Sequence, residues 1–193
     1  ACIGDSITYG AGIKQRKINS FPAQLGTMLG KGYEVKNFGV SASTLLKKGN
    51  KPYWSLPQFE AAQDYQPDIV IIKLGTNDTK ASNWKHKAEF KANYCEMIRV
   101  FQSLESKPDV LISYPAPVFP EGERWKWGIK DTTVKEEIIP LINEIAKMTS
   151  TNVIDLYKPL AGKPELLPDN VHPNAAGAKV IAETIFLAIS KET

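Results

Sequence analysis

The sequence contains only two histidines, and they differ in what stands beside them. His86 lies in Asn83-Trp84-Lys85-His86-Lys87, a polar stretch opening a helix, where a solvated ring is the natural reading. His172 lies in a loop between Val171 and Pro173, with Asp169 three residues before it. An Asp so placed can accept from one ring nitrogen and leave the other facing a cleft. A histidine held that way is a candidate general base, and nucleophilic acyl transfer also needs a hydroxyl and donors for an oxyanion. Ser6 in Gly4-Asp5-Ser6 supplies the hydroxyl; Gly39-Val40-Ser41 and Gly75-Thr76-Asn77-Asp78 are two further polar turns. Singly, each segment is weak evidence. Gly-Asp-Ser is ordinarily a turn, Gly39 can simply end a strand, Asn77 can cap a segment, and Asp-x-x-His describes many loop histidines. Asp5 and Asp78 are expected to bond loop backbone, and Ser41 and Ser43 to be loop hydroxyls.

The elements around these segments give the reason to take them together. Apolar runs at 1–3, 33–40, 69–74, 110–114 and 153–156 read as strands. The third, Ile69-Val70-Ile71-Ile72-Lys73-Leu74, has β-branched residues on both faces, as suits a parallel strand covered on both sides. Between the strands lie helix patterns: 21–29, a stripe of Phe90, Tyr94, Met97, Phe101 and Leu104, and a second stripe of Val134, Ile138, Leu141, Ile145 and Met148. Pro140 inside the second stripe requires a kink or a restart there. Asn174 is the expected N-cap of a last helix reaching about residue 190, with Ile181, Ile185 and Ala188 inward. This alternation predicts one α/β domain over 1–193: a three-layer α/β/α sandwich on a five-stranded parallel sheet of flavodoxin-like kind. Such a sheet brings the loops after its strands to one edge, where open α/β sheets bind ligands. Four distant segments then meet.

In order and spacing, Gly4-Asp5-Ser6-Ile7, Gly39 in Asn37-Phe38-Gly39-Val40-Ser41, Gly75-Thr76-Asn77-Asp78 and Asp169-x-x-His172 resemble the four blocks of the SGNH hydrolases, the GDSL-like lipases and acylhydrolases. The resemblance runs along almost the whole chain. It implies that Ser6 is the nucleophile, His172 the base and Asp169 its orienting acid. The oxyanion hole would be Ser6 N–H, Gly39 N–H and the Asn77 side chain, with no cofactor and no metal. Many relatives carry a second small residue, often Gly, after the serine of the glycine block; here Ala42 stands there. The stretch from Trp127-Gly128-Ile129 to Ile138-Ile139-Pro140-Leu141-Ile142 also looks like bacterial proteins grouped with sialate or other carbohydrate O-acetylesterases. That resemblance alone favours a periplasmic or secreted protein.

Composition agrees with a globular enzyme and narrows the partners. The chain has 193 residues, 42% hydrophobic and 23% charged, and 24 Lys and Arg against 21 Asp and Glu give a net charge of +3. Its basic clusters, Lys14/Arg16/Lys17 and Lys47/Lys48/Lys51, lack interleaved aromatics and read as solvated surface, not a nucleic-acid stripe. Cys2 and Cys95 form no disulfide framework and read as buried fillers. No apolar run approaches the ~20 residues of a membrane span. The opening on Ala1-Cys2-Ile3, inside a strand pattern, is what a trimmed N-terminus would give, so the absent signal peptide carries no information on compartment.

Rival readings fail on particular residues. A phosphate-binding loop over Gly4–Gly12 would need glycine where Tyr9 or Gln15 stands. The α/β-hydrolase elbow would need glycine at Thr8. A metallohydrolase would need ligand spacing that two distant histidines do not provide, and a glycan-binding relative without activity would be expected to have lost Ser6, Asn77 or His172. The expected substrate is a small-molecule or glycan ester, with O-acetyl carbohydrate ahead of a lipid or thioester. The segment 115–128 carries Trp125 and Trp127 beside Arg124 and Lys126, and Pro52-Tyr53-Trp54 adds more aromatics. Such rings suit a sugar face, and equally suit packing loops down.

Overall fold

The structure, a computed structural model, describes residues 1–120 and 128–190. Its centre is a five-stranded parallel sheet: β1 (Cys2–Gly4), β2 (Asn37–Gly39), β3 (Ile69–Lys73), β4 (Asp109–Ser113) and β5 (Asn152–Ile154), in the order β2-β1-β3-β4-β5. The fold expectation is met. This order reverses direction between β1 and β3, and doubly wound sheets open a ligand crevice at the carboxyl ends of the strands flanking such a reversal.

Alternation along the strands divides the core in two. Val70 and Ile72 of β3 join Ile3, Val110 and Ile112 in one buried cluster, while Ile71 joins Cys2, Leu111 and Ile154 in the other. Helical segments that cover the sheet or shape its carboxyl edge include α1 (Ser6–Tyr9), α2 (Phe21–Leu29), α3 (Phe90–Gln102), α4 (Ile139–Thr149) and α5 (Ala175–Ile189). Helix α3 covers the first face with Phe90, Tyr94, Met97 and Phe101, and α4 adds Ile142 and Ile145. Helices α2 and α5 pack together on the second face through Phe21, Leu25, Ile181 and Ile185. Burying side chains of this size stabilises by about 1.5–3 kcal/mol each relative to exposure, so these two clusters hold the sheet edge rigid.

Local chemistry explains the boundaries. The Asn174 side chain accepts from Gly177 N–H at 2.9 Å and starts α5 where expected. Pro140 sits in the first turn of α4, preceded by a π-helical turn over Val134–Ile138. The proline lacks an N–H and its ring displaces the carbonyl four residues back, so the chain widens there and restarts. The second strand is shorter than the expected 33–40. It is an edge strand paired only with β1, and that ladder begins at Cys2↔Asn37; just before it Cys2 N–H donates to Lys36 O at 2.9 Å, and 33–35 lie outside the ladder. Cys2 and Cys95 are buried free thiols. Among the described residues no helix is long and apolar enough to cross a membrane.

Candidate active site

The site is built at the end of β1. After Gly4 the chain turns into α1, and Asp5 caps that turn by accepting from Ile7 N–H at 2.9 Å. Ser6 is the first residue of the turn, only 8% exposed. Its Oγ lies 2.8 Å from His172 Nε2. His172 Nδ1 lies 2.7 Å from Asp169 Oδ2, while Asp169 Oδ1 accepts from Val171 N–H at 3.1 Å and His172 N–H at 2.7 Å. One carboxylate therefore fixes both the ring and the backbone that carries it. Burial pushes the Asp169 carboxyl up, but the hydrogen bonds and charge of His172 and the Val171 N–H outweigh it, holding the group below the ordinary aspartate value. With Nδ1–H donated to Asp169, Nε2 is left as the acceptor facing Ser6.

The loop bearing Asp169 and His172 is propped from outside. Phe119 N–H donates to Asn170 O at 2.9 Å, and Val118, Ile129 and Val171 form a small apolar cluster of their own. Asp131 accepts from Val118 N–H at 3.1 Å and from the Tyr157 hydroxyl at 2.7 Å. Both flanks of the 115–128 segment thus buttress the base. Trp125 and Trp127, the rings that would suit a sugar face, lie outside the described residues.

The third segment delivers Asn77. The residue is 4% exposed, and its side-chain amide donates one hydrogen to Ser43 O at 3.1 Å; an amide has two, and among the described residues no acceptor takes the second. Asp78, wholly buried, accepts from Leu45 N–H at 3.0 Å and Leu46 N–H at 2.8 Å. Burial raises its pKa to about 6 against the pull of those two N–H groups. The backbone-bonding role expected of Asp78 is what the structure shows; Asp5 adds to its cap a buried ion pair with Lys73.

Gly39 has a different task from the one expected. Its N–H donates to Asn37 Oδ1 at 2.9 Å and is already engaged, while Asn37 Nδ2 reaches Thr8 O at 2.8 Å. A Cβ on Gly39 would overlap the backbone of Thr8 and Tyr9. The close approach that requires glycine is therefore to the nucleophile turn, not to substrate. Three residues on, Ala42 is exposed with φ +66°, a left-handed conformation rare for a non-glycine residue. Among the described residues none accepts from its N–H. A small residue in that position was visible in the sequence; its backbone angle was not.

Trp54 and Tyr53 are loop anchors. Trp54 donates to Leu45 O at 2.8 Å and packs against the tilted Phe59 ring and the Lys47 ammonium, and the fully buried Tyr53 donates to Phe38 O at 2.6 Å. His86 is half-buried before a short turn, in a different part of the chain from the triad. Among the described residues no group of three His, Cys, Asp or Glu is placed to hold a metal ion.

A parallel α/β sheet with a Ser-His-Asp relay at its carboxyl edge defines an acylhydrolase architecture, and the chain belongs to the GDSL-like lipase/acylhydrolase family, whose model matches residues 2–180. Its sequence is similar to an acetylxylan esterase of Xylanibacter ruminicola, 39% identical over 207 aligned positions covering 98% of this chain. The chain spans 42% of that relative's length. Its fold is similar to a carbohydrate acetylesterase from Sinorhizobium meliloti (TM-score 0.81, 20% identity, 100% of this chain and 98% of that one). The native M. smegmatis aryl esterase shares it as well (TM-score 0.80, 20% identity, 98% and 97%).

Proposed function

We propose that the chain is a serine ester hydrolase that removes acetyl groups from a carbohydrate through an acyl-enzyme. The observation that carries the hydrolase reading is the unbroken relay Ser6–His172–Asp169, with links of 2.8 and 2.7 Å. Ser6 Oγ attacks the ester carbonyl as His172 Nε2 takes its proton, and Asp169 stabilises the ring as it becomes charged. The tetrahedral oxyanion is met by Ser6 N–H, the second hydrogen of the Asn77 amide and, in place of Gly39, the Ala42 N–H. His172 then protonates the departing sugar hydroxyl. Water, deprotonated by the same ring, cleaves the acetyl-Ser6 ester and releases acetate.

The substrate class rests on likeness: the 39% identical relative is named an acetylxylan esterase, and a structural neighbour is named a carbohydrate acetylesterase. A chain-length series of p-nitrophenyl esters beside a panel of O-acetylated sugars tests it. Acetate release from a sugar, with turnover falling as the acyl chain lengthens, is the expected result. Preference for octanoyl or longer esters with no acetate released from any sugar would leave a lipid esterase or thioesterase instead.

A further inference from the structure

We propose that Lys73 is a positioning residue that sets the distance between the nucleophile and the oxyanion donor; the inference rests on the hydrolase reading. The ladder between β1 and β3 ends at Gly4↔Lys73. Beyond that rung Ser6 and Asn77 ride on chains no longer paired with each other, yet both must address one carbonyl carbon. The Lys73 side chain spans the gap. It is wholly buried, and its Nζ lies 3.0 Å from each carboxylate oxygen of Asp5 and 2.9 Å from Thr76 Oγ1. An ammonium has three hydrogens, and here three acceptors receive them. Asp5 precedes Ser6 and caps its turn, while Thr76 precedes Asn77. The cation thus ties the residue before the nucleophile to the residue before the donor.

Stability alone does not account for such an arrangement. Taking both charges out of water is costly, and an apolar pair of similar volume often holds a core equally well. Apolar contacts, however, are non-directional, whereas three charge-assisted hydrogen bonds fix where each partner sits. Another link between the two chains is indirect: Ser43 donates to Gly4 O at 3.3 Å and its carbonyl receives the Asn77 amide.

The test is a set of mutant cycles on p-nitrophenyl acetate. Thr76→Val keeps the shape and removes one acceptor; Thr76→Ser keeps the hydroxyl; Lys73→Met removes the strut. Thr76→Val and Lys73→Met are expected to lower kcat roughly 10–100-fold with KM little changed, as misplacement of a reacting group does. Thr76→Ser should restore kcat. Combined with Asn77→Ala, either variant should lower kcat by no more than about threefold further, since no amide is left to position. Fully multiplicative effects, or Thr76→Val at wild-type kcat, would overturn the inference. Should Lys73→Met fail to fold, the Thr76 variants and their cycle with Asn77 decide the matter. A wild-type protein that leaves the ester intact would sink the hydrolase reading and this inference with it.

Discussion

Ser6 Oγ and His172 Nε2 lie 2.8 Å apart although 166 positions of sequence separate them. The contact depends on the sheet edge at one end and on a loop buttressed by Val118 and Ile129 at the other. Removing the hydroxyl should therefore leave the architecture in place. Ser6→Ala is expected to abolish ester hydrolysis with an unchanged melting temperature, and a phosphonate or sulfonyl fluoride should label wild-type protein at Ser6 alone. Wild-type turnover by Ser6→Ala would rule out the mechanism.

Asn77→Ala is expected to lower kcat by about 10²–10³-fold, the usual consequence of losing one oxyanion donor. A change confined to KM would show instead that Asn77 only places the substrate. His86→Ala serves as the control and should match wild type in both constants.

Asp169→Asn puts an amide N–H where Oδ2 stands, which forces the ring into the tautomer with its N–H towards Ser6. Turnover should drop roughly 10⁴-fold. The carboxyl is held below its ordinary value, so the stability it contributes is present above about pH 4 and is lost as pH falls through the lower folded value. The melting-temperature gap between wild type and Asp169→Asn should thus narrow as pH falls below about 4. A gap that did not narrow on acidification below about pH 4 would contradict the assignment.

Asp78 has the opposite sign. Its pKa is raised to about 6 by burial, so the folded state binds a proton more tightly than the unfolded chain, and stability falls as pH rises from about 4 to about 6. The size is on the order of 3 kcal/mol, which for a chain of this length is about 6–12 °C in melting temperature. Asp78→Asn resembles the protonated form, with one acceptor and one donor. Its melting temperature relative to wild type should climb over that window and level off above it. A flat difference across the window would refute the raised value.

Gly39→Ala should damage the site without touching a catalytic group. The new Cβ would overlap the backbone of Thr8 and Tyr9, which closely follow Ser6. Overpacking of this kind costs about 1–3 kcal/mol, and kcat should fall with the melting temperature. If both stayed at wild-type values, the close packing of β2 on the nucleophile turn would be in error.

Resemblance to the SGNH blocks pointed to Ser6, Asp169 and His172; by itself the sequence determined the layer order, the parallel sheet and the placing of Asp169 beside His172. Those rest on local signals that survive folding unchanged: apolar periodicity in Ile69–Lys73, the Asn174 cap, and the pairing of Asp169 with the histidine three residues on. Strand ends were less legible, because pairing length depends on the neighbour; residues 33–36 have strand character but lie outside the β1–β2 ladder. The resemblance implied Gly39 as an oxyanion donor, and glycine admits close approach. Only the tertiary structure showed that its N–H faces Asn37, and that the left-handed turn falls at Ala42, whose N–H has no acceptor among the described residues. Lys73 looked like one more strand residue. Its burial against Asp5 and Thr76 was invisible in the sequence, because a hydrogen-bond partner is chosen by which strands lie side by side, and β1 and β3 are neighbours only in space.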